Sequence, residues 1–237
     1  MWLEGPWLEG RLLRRYKRFL ADVELADGRR LTAHTPNTGS LRGCAEPGMR
    51  VWLRDTGDPK RKYRYSWELV EVRPGVVVGI HTGLSNRLVR EAIETGRVPA
   101  LAGYDTLRGE VPYGRERSRI DLLLEGPGRP ACYVEVKNVT LVEAGVAAFP
   151  DAISTRGQKH LRELTEMVRQ GRRAVIFFCI QRGDAVEMRP ADAIDPAYGR
   201  ALREALAAGV EAVAMTAAVS PARLELQSEV PVVCPPL

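Results

Sequence analysis

Near residue 80 the hydrophobic rhythm of the chain changes, and this constrains the fold more than any single motif. Before it, short runs alternate apolar and polar residues between turns. Phe19–Leu25 alternates, Asp27-Gly28 turns the chain, and Arg30–His34 returns, which predicts a hairpin. Val51–Leu53, Ser66–Val72 and Val76–Ile80 add strands. Roughly five strands with no helical period predict a small β-barrel over residues 1–80; OB-like closure is a common solution, and an SH3-like barrel reads alike. After residue 80, α and β alternate. Ser85 is placed to cap a helix over Asn86–Thr95, with Leu84 stapled to Val89 and Gly96 ending it. Paired strands around Asp121 and Glu135 follow. A helix over Thr155–Gln170 carries Leu161, Leu164 and Val168 on one stripe, and Ala174–Ile180 reads as a strand buried on both faces. Asp195-Pro196 opens a helix to about Ala208, and Ala212–Ala218 reads as a strand. The order α-β-β-α-β-α-β predicts a mixed sheet with flanking helices over residues 81–237, so the whole chain is of the α/β class.

With 237 residues and 45% apolar side chains there is enough material for real cores. No apolar stretch approaches the roughly 20 residues of a membrane span, and no signal peptide is readable at the N-terminus. Cys44, Cys132, Cys179 and Cys234 are far apart with no CxxC spacing. A reduced, cytoplasmic protein without a structural zinc site is expected.

The net charge of +5 is unevenly spread. Residues 1–80 hold 15 Arg and Lys against 10 Asp and Glu, whereas residues 81–237 hold 20 against 20. All four tryptophans, Trp2, Trp7, Trp52 and Trp67, also fall in the first third. In Arg61-Lys62-Tyr63-Arg64-Tyr65-Ser66-Trp67 cations interleave with aromatics, so Arg61, Lys62, Tyr63, Arg64 and Trp67 are candidates for nucleic-acid contact. The run Arg11–Arg18 adds Arg15, Lys17 and Arg18 to that set. The competing reading is that the tryptophans fill a small core and the arginines form a solvated face.

The chemistry-bearing candidates lie on the paired strands. Asp121 interrupts an otherwise apolar run, where an unpaired carboxylate is costly to bury. Gly126-Pro127-Gly128 turns the chain, and Glu135-Val136-Lys137 follows, with Glu135 and Lys137 on one face by alternation. Two carboxylates and an ammonium on adjacent strands suit a divalent cation, Mg²⁺ or Mn²⁺, with Asp121 and Glu135 as ligands and Lys137 beside them. The bland alternative is a solvated hairpin with a Glu–Lys pair. Glu91, flanking the apolar stripe of its helix, is a candidate third acid; Gln158 is placed to orient a carboxylate or touch a phosphate. His160, on the other edge of that helix's stripe, reads as a packing or surface residue.

Three segments carry a family likeness: Thr35-Pro36-Asn37-Thr38-Gly39-Ser40-Leu41, Val136-Lys137-Asn138-Val139-Thr140-Leu141, and Phe149-Pro150-Asp151-Ala152 through Thr155-Arg156-Gly157-Gln158-Lys159-His160-Leu161. They closely resemble the sugar fermentation stimulation protein A family. That resemblance implies an OB-like N-terminal part and a C-terminal domain similar to PD-(D/E)xK, restriction-endonuclease-like nucleases. By it, Asp121, Glu135 and Lys137 match the nuclease core, and Gln158 matches a polar position on the next helix. Ile120 stands where the eponymous proline would be, which leaves the ligating carboxylate in place. The family is described as DNA-binding and as a regulator of maltose metabolism. Two expectations follow: a DNA-binding protein with Mg²⁺-dependent phosphodiester hydrolysis, or a non-catalytic DNA-binding regulator of sugar metabolism. Nothing in the residues separates DNA from RNA as partner, and no Gly-rich nucleotide loop supports a sugar-metabolising enzyme.

Overall fold

The computed structural model describes residues 1–3 and 5–236. The N-terminal sheet comprises β1 (Trp7–Tyr16), β2 (Leu20–Leu25), β3 (Arg30–His34), β4 (Arg50–Asp55), β5 (Tyr65–Arg73) and β6 (Val76–Gly79). The strand order is β3-β2-β1-β4-β5-β6, and a parallel pairing of β3 with β5 closes the first five strands into an OB-like ring. Leu12, Val23, Leu53, Trp67 and Val70 fill its interior.

Periodicity does not reveal β1. Its register against β2 shifts between Leu12 and Arg14, so the side chains around Leu12-Leu13 fall out of strict alternation. Gly10 lies in the same strand where β1 and β2 approach closely. A Cβ there would meet Val23 Cγ1 at 2.5 Å and the Glu24 carbonyl oxygen at 2.6 Å. Because the second obstacle is backbone, Gly10→Ala should cost about 1–3 kcal/mol through overpacking. The reading is a lowered urea midpoint at unchanged slope, and an unchanged midpoint would show that the two strands yield.

The rest of the chain runs α1 (Gly83–Glu94), β7 (Thr106–Tyr113), β8 (Ser118–Glu125), β9 (Cys132–Val139), β10 (Val142–Glu143), β11 (Val146–Phe149), α2 (Thr155–Arg169), β12 (Arg173–Ile180), β13 (Glu187–Pro190), α3 (Pro196–Ala207), β14 (Glu211–Val219) and β15 (Leu224–Glu229). The main sheet has the order β15-β14-β12-β9-β8-β7. Its middle strands β14, β12 and β9 are parallel, and the outer pairings are antiparallel. On one face α1 packs Leu84, Leu88 and Val89, and the same core takes Trp52 and Leu69 from the N-terminal sheet. On the other, Leu161 and Leu164 of α2 and Leu202 of α3 pack with Ile176 and Phe178. With both faces covered, β12 is buried nearly throughout, as its apolar run predicts.

Two expectations need correction. The first helix begins at Gly83 rather than Asn86, and its N-cap, Thr82, makes no side-chain capping bond. Ser85 is not the cap because its hydroxyl is engaged elsewhere, donating to Asn138 Oδ1 at 2.8 Å and accepting from Gln181 Nε2 at 3.0 Å. The second correction is the expected element order, which lacks β10, β11, β13, β15 and β7, the last a strand that Gly109 and Pro112 disguise. Strand β7 lies at the sheet edge, where proline is tolerated. Elsewhere α2 starts after the Ser154 cap and α3 after the Asp195 cap, whose side chains accept from Gly157 N–H and Tyr198 N–H. The four cysteines are free. Among the described residues no helix is long and apolar enough to cross a membrane.

Candidate active site

Strands β8 and β9 pair only where Leu122–Leu124 face Cys132–Val134. Beyond Leu122 the ladder stops, and Asp121 takes its place. Asp121 Oδ2 accepts the Val136 N–H at 2.7 Å, and Oδ1 accepts from Asn86 Nδ2 on α1 at 2.8 Å. A backbone amide that would otherwise lose its ladder partner thus fixes the carboxylate in orientation. On the far side β9 is held by β12, with Glu135 opposite Ile176.

Glu135 and Lys137 share one face of β9, and that face looks onto α2. Lys137 Nζ donates to Glu135 Oε1 at 2.8 Å. His160 Nδ1 of α2 also contacts Glu135 Oε1 and lies 3.1 Å from Lys137 Nζ. Arg156 Nε, one turn earlier, reaches His160 Nε2 at 3.3 Å. Glu135, Lys137 and His160 are all buried, while Glu135 Oε2 is a buried oxygen with no hydrogen-bond partner among the described residues. The two carboxylates are driven apart electrostatically. Burial and the Glu135 charge push Asp121 up to about 6, against the pull of its two hydrogen bonds. Burial pushes Glu135 the same way, but the His160 contact and the Lys137 charge outweigh it and hold Glu135 below the usual carboxylate range.

This donor set fits a hard divalent cation. Hard cations take carboxylate oxygens, and Glu135 Oε2 is a buried carboxylate oxygen that no hydrogen bond among the described residues uses, within the field of the Asp121 charge. It is a sparse set: among the described residues no three His, Cys, Asp or Glu side chains form a ready-made cage. Two carboxylates, Asp121 and Glu135, with water and substrate oxygens completing the shell, is how Mg²⁺ is commonly held.

Lys137 and Asn86 also line a cleft of about 410 Å³ with Arg18, Thr38, Asp151 and Ser154. The N-terminal sheet supplies one wall, through the β1–β2 turn and residues 37–39, and the segment leading into α2 supplies another.

Several expected site residues lie elsewhere. Glu91 pairs with the Met1 amine at 2.7 Å rather than with the hairpin; the α1 residue that reaches Asp121 is Asn86, nearer the helix start. Gln158 does orient a carboxylate, but that of Asp195, at 3.2 and 3.4 Å. The α2 side chain that reaches Glu135 is His160, which lies inside the buried stripe Gly157, His160, Leu161, Leu164, Met167 rather than at its edge. The i, i+3, i+4, i+7 spacing of that stripe is the signal that marks His160 as inward-facing.

The N-terminal cations divide sharply. Arg15 donates to the carbonyls of Asn37, Gly39 and Ser40, so it braces a loop. Arg64 forms an ion pair with Asp55 at 2.6 Å, and Arg61 one with Asp58 at 3.9 Å. Trp67 is wholly buried in the ring, with its indole N–H on the Leu69 carbonyl, so it offers no face for a base. Lys62 stacks on the half-exposed Tyr63 ring. Lys17 and Arg18 form the exposed β1–β2 turn, make no ion pair among the described residues, and place Arg18 on the cleft wall.

Comparison with known proteins returns two matching family descriptions. Residues 13–80 match the SfsA N-terminal OB domain, and residues 83–223 match the sugar fermentation stimulation protein RE domain. The chain is 60% identical over 232 residues to the sugar fermentation stimulation protein homolog of Geobacter sulfurreducens, covering 98% of both chains. It is 61% identical over 229 residues to that of Pelobacter propionicus, covering 96% of this chain and 98% of the other. Among solved structures, Pyrococcus furiosus SfsA in complex with Ca²⁺ superposes with a TM-score of 0.87 at 31% identity, covering 98% of each chain.

Proposed function

Since the chain belongs to the sugar fermentation stimulation protein family, with an OB domain followed by a restriction-endonuclease-like mixed sheet, we propose that it binds DNA in the cleft and hydrolyses its phosphodiester backbone with Mg²⁺ or Mn²⁺. The observation that carries this reading is the unpartnered Glu135 Oε2, buried close to an Asp121 carboxylate whose pKa is raised. The related Pyrococcus furiosus protein was solved with Ca²⁺, another oxygen-seeking divalent cation, which supports a cation role here.

Asp121 and Glu135 would hold the cation, which supplies positive charge against the phosphate and acidifies a water. The chain's own residues do the rest. The Val136 N–H and Asn86 keep the Asp121 oxygens from rotating away. Lys137 gives one N–H to Glu135 and, as a cleft residue, has others for a phosphate oxygen whose charge grows as the bond breaks. Arg18 on the cleft wall would meet a backbone phosphate, with Lys17 exposed beside it on the same turn.

The test is incubation of the protein with labelled single- and double-stranded DNA and RNA, with and without Mg²⁺ or Mn²⁺. Cation-dependent product from the wild type is expected, and its complete absence on every substrate overturns the hydrolytic reading. The sparse ligand set, two carboxylates with Lys137 drawn onto Glu135, favours a second reading, a DNA-binding regulator without catalysis. Salt-dependent binding without product selects it.

Two further results are expected. Because the cation competes with the Asp121 proton, Mn²⁺ affinity should fall about tenfold per pH unit below about pH 6 and level off above it. Calorimetric affinity that stays flat down to pH 5 would remove Asp121 from the ligand set. Lys17→Ala and Arg18→Ala should each lower the slope of log affinity for DNA against log salt by about 1, whereas Arg64→Ala, whose partner is Asp55, should leave it nearly unchanged. Equal effects from all three would mean that the sheet face, not the turn, meets the DNA.

A further inference from the structure

We infer that His160, with Arg156 behind it, is a positioning residue that turns Glu135 so that Oε1 is bound by the chain and Oε2 is left for the cation. The inference rests on the cation reading above and extends it to two residues of α2. A guanidinium has only donors, so the Arg156 Nε contact at 3.3 Å requires a lone pair on His160 Nε2. A neutral imidazole that accepts at Nε2 carries its proton at Nδ1, and Nδ1 contacts Glu135 Oε1. Lys137 Nζ, 2.8 Å away, donates to that same oxygen. The 3.1 Å between Lys137 Nζ and His160 Nδ1 is therefore two donors converging on one acceptor rather than a bond between them.

The consequence is an asymmetric carboxylate. Oε1 receives both donors, and Oε2 receives none although it is buried. A carboxylate free to rotate would share its donors between its oxygens, and a cation arriving there would first have to break one bond. With His160 and Lys137 on Oε1, Glu135 presents a single bare oxygen. Burial leaves the imidazole little freedom to swing away. Arg156 sits on the first turn of α2, next to the segment that lines the cleft, so its lock on Nε2 is made from the solvent side. Groups placed like these typically change metal affinity about 10- to 100-fold when removed.

Two measurements test this. In metal-free protein, long-range ¹H–¹⁵N spectra of the imidazole should show His160 protonated at Nδ1 only, and Arg156→Ala should bring in the Nε2-protonated form. By calorimetry with Mn²⁺ alone, His160→Ala should lose about 10- to 100-fold in affinity. His160→Asn, whose Nδ2–H occupies the place of the Nδ1–H, should recover most of it. Wild-type His160 protonated at Nε2, His160→Ala binding Mn²⁺ like the wild type, or His160→Asn as weak as His160→Ala would each overturn the assignment. A wild type that takes up no Mn²⁺ overturns the cation reading instead, and the metal-free spectra still decide the His160 geometry.

Discussion

Asp121→Asn is expected to abolish cation-dependent cleavage while making the metal-free protein more stable at neutral pH. Asparagine has the same shape: its oxygen still accepts the Val136 N–H, and Asn86 needs only to turn its amide to accept from the new one. Charge is what is lost. Without one of its two anionic ligands the cation site should lose on the order of 10³-fold in rate, about 4 kcal/mol of barrier. Stability moves the other way. The Asp121 carboxyl titrates near 6 in the folded protein against 3.8 ordinarily. Below pH 3.8 both folded and unfolded chains hold the proton and the charge costs nothing. Between 3.8 and about 6 the unfolded chain ionises first, so folding stability falls as pH rises, and above about 6 the cost is fully present. It amounts to at most about 3 kcal/mol, at 1.36 kcal/mol per pKa unit. Asparagine carries no such cost. Thermal melts in chelator should therefore show the variant ahead of wild type at pH 7.5 and level with it near pH 4. Intact cleavage, or a variant less stable than wild type at pH 7.5, would remove Asp121 from its assigned place.

Trp67→Ala is expected to cost about 3–5 kcal/mol, a large share of the stability of a chain this size. The side chain is wholly buried inside the closed ring, and its removal leaves a cavity that Leu12, Leu53 and Val70 cannot fill. The damage should spread, because Trp52 and Leu69 of the same sheet belong to the core that α1 closes. Arg61→Ala, by contrast, removes an exposed pair at 3.9 Å and should stay within about 0.5 kcal/mol. Urea midpoints for the two variants, read beside DNA affinity at fixed salt, separate packing from contact. A Trp67→Ala protein with an unchanged midpoint and weakened DNA binding would return Trp67 to the nucleic-acid surface.

The strand residues of the candidate site were legible because their placement is local. Strand alternation alone puts Glu135 and Lys137 on one face, and an aspartate inside an apolar run marks itself by the cost of burying it. Helix α2 was legible from its apolar stripe, and α3 from the Asp195-Pro196 start. The failures share one cause. Strand β1 hides behind a register shift, and β7 behind a proline that only an edge position permits. Ser85 has the chemistry of an N-cap but is engaged by Asn138 and Gln181, the latter almost 100 residues away. Glu91 and Gln158 were plausible by helical angle, yet which side chain of a helix reaches a given strand depends on how the helix crosses the sheet.

By itself the sequence determined the change from a β-rich to a mixed α/β half, the three helices, the central strands of the second half, and Asp121, Glu135 and Lys137 as candidates, since each follows from periodicity or from the energetics of one buried group. Tertiary structure decided that Asn86 meets Asp121 and that His160 meets Glu135. It alone decided that Arg15 braces the loop at residues 37–40 while Lys17 and Arg18 make no ion pair among the described residues. The physical reason is that a charge becomes available only when no opposite charge or carbonyl is brought within reach of it. For Arg15 that proximity arises only when the loop at residues 37–40 packs against β1, whereas Arg61 and Arg64 meet Asp58 and Asp55 within their own stretch of chain.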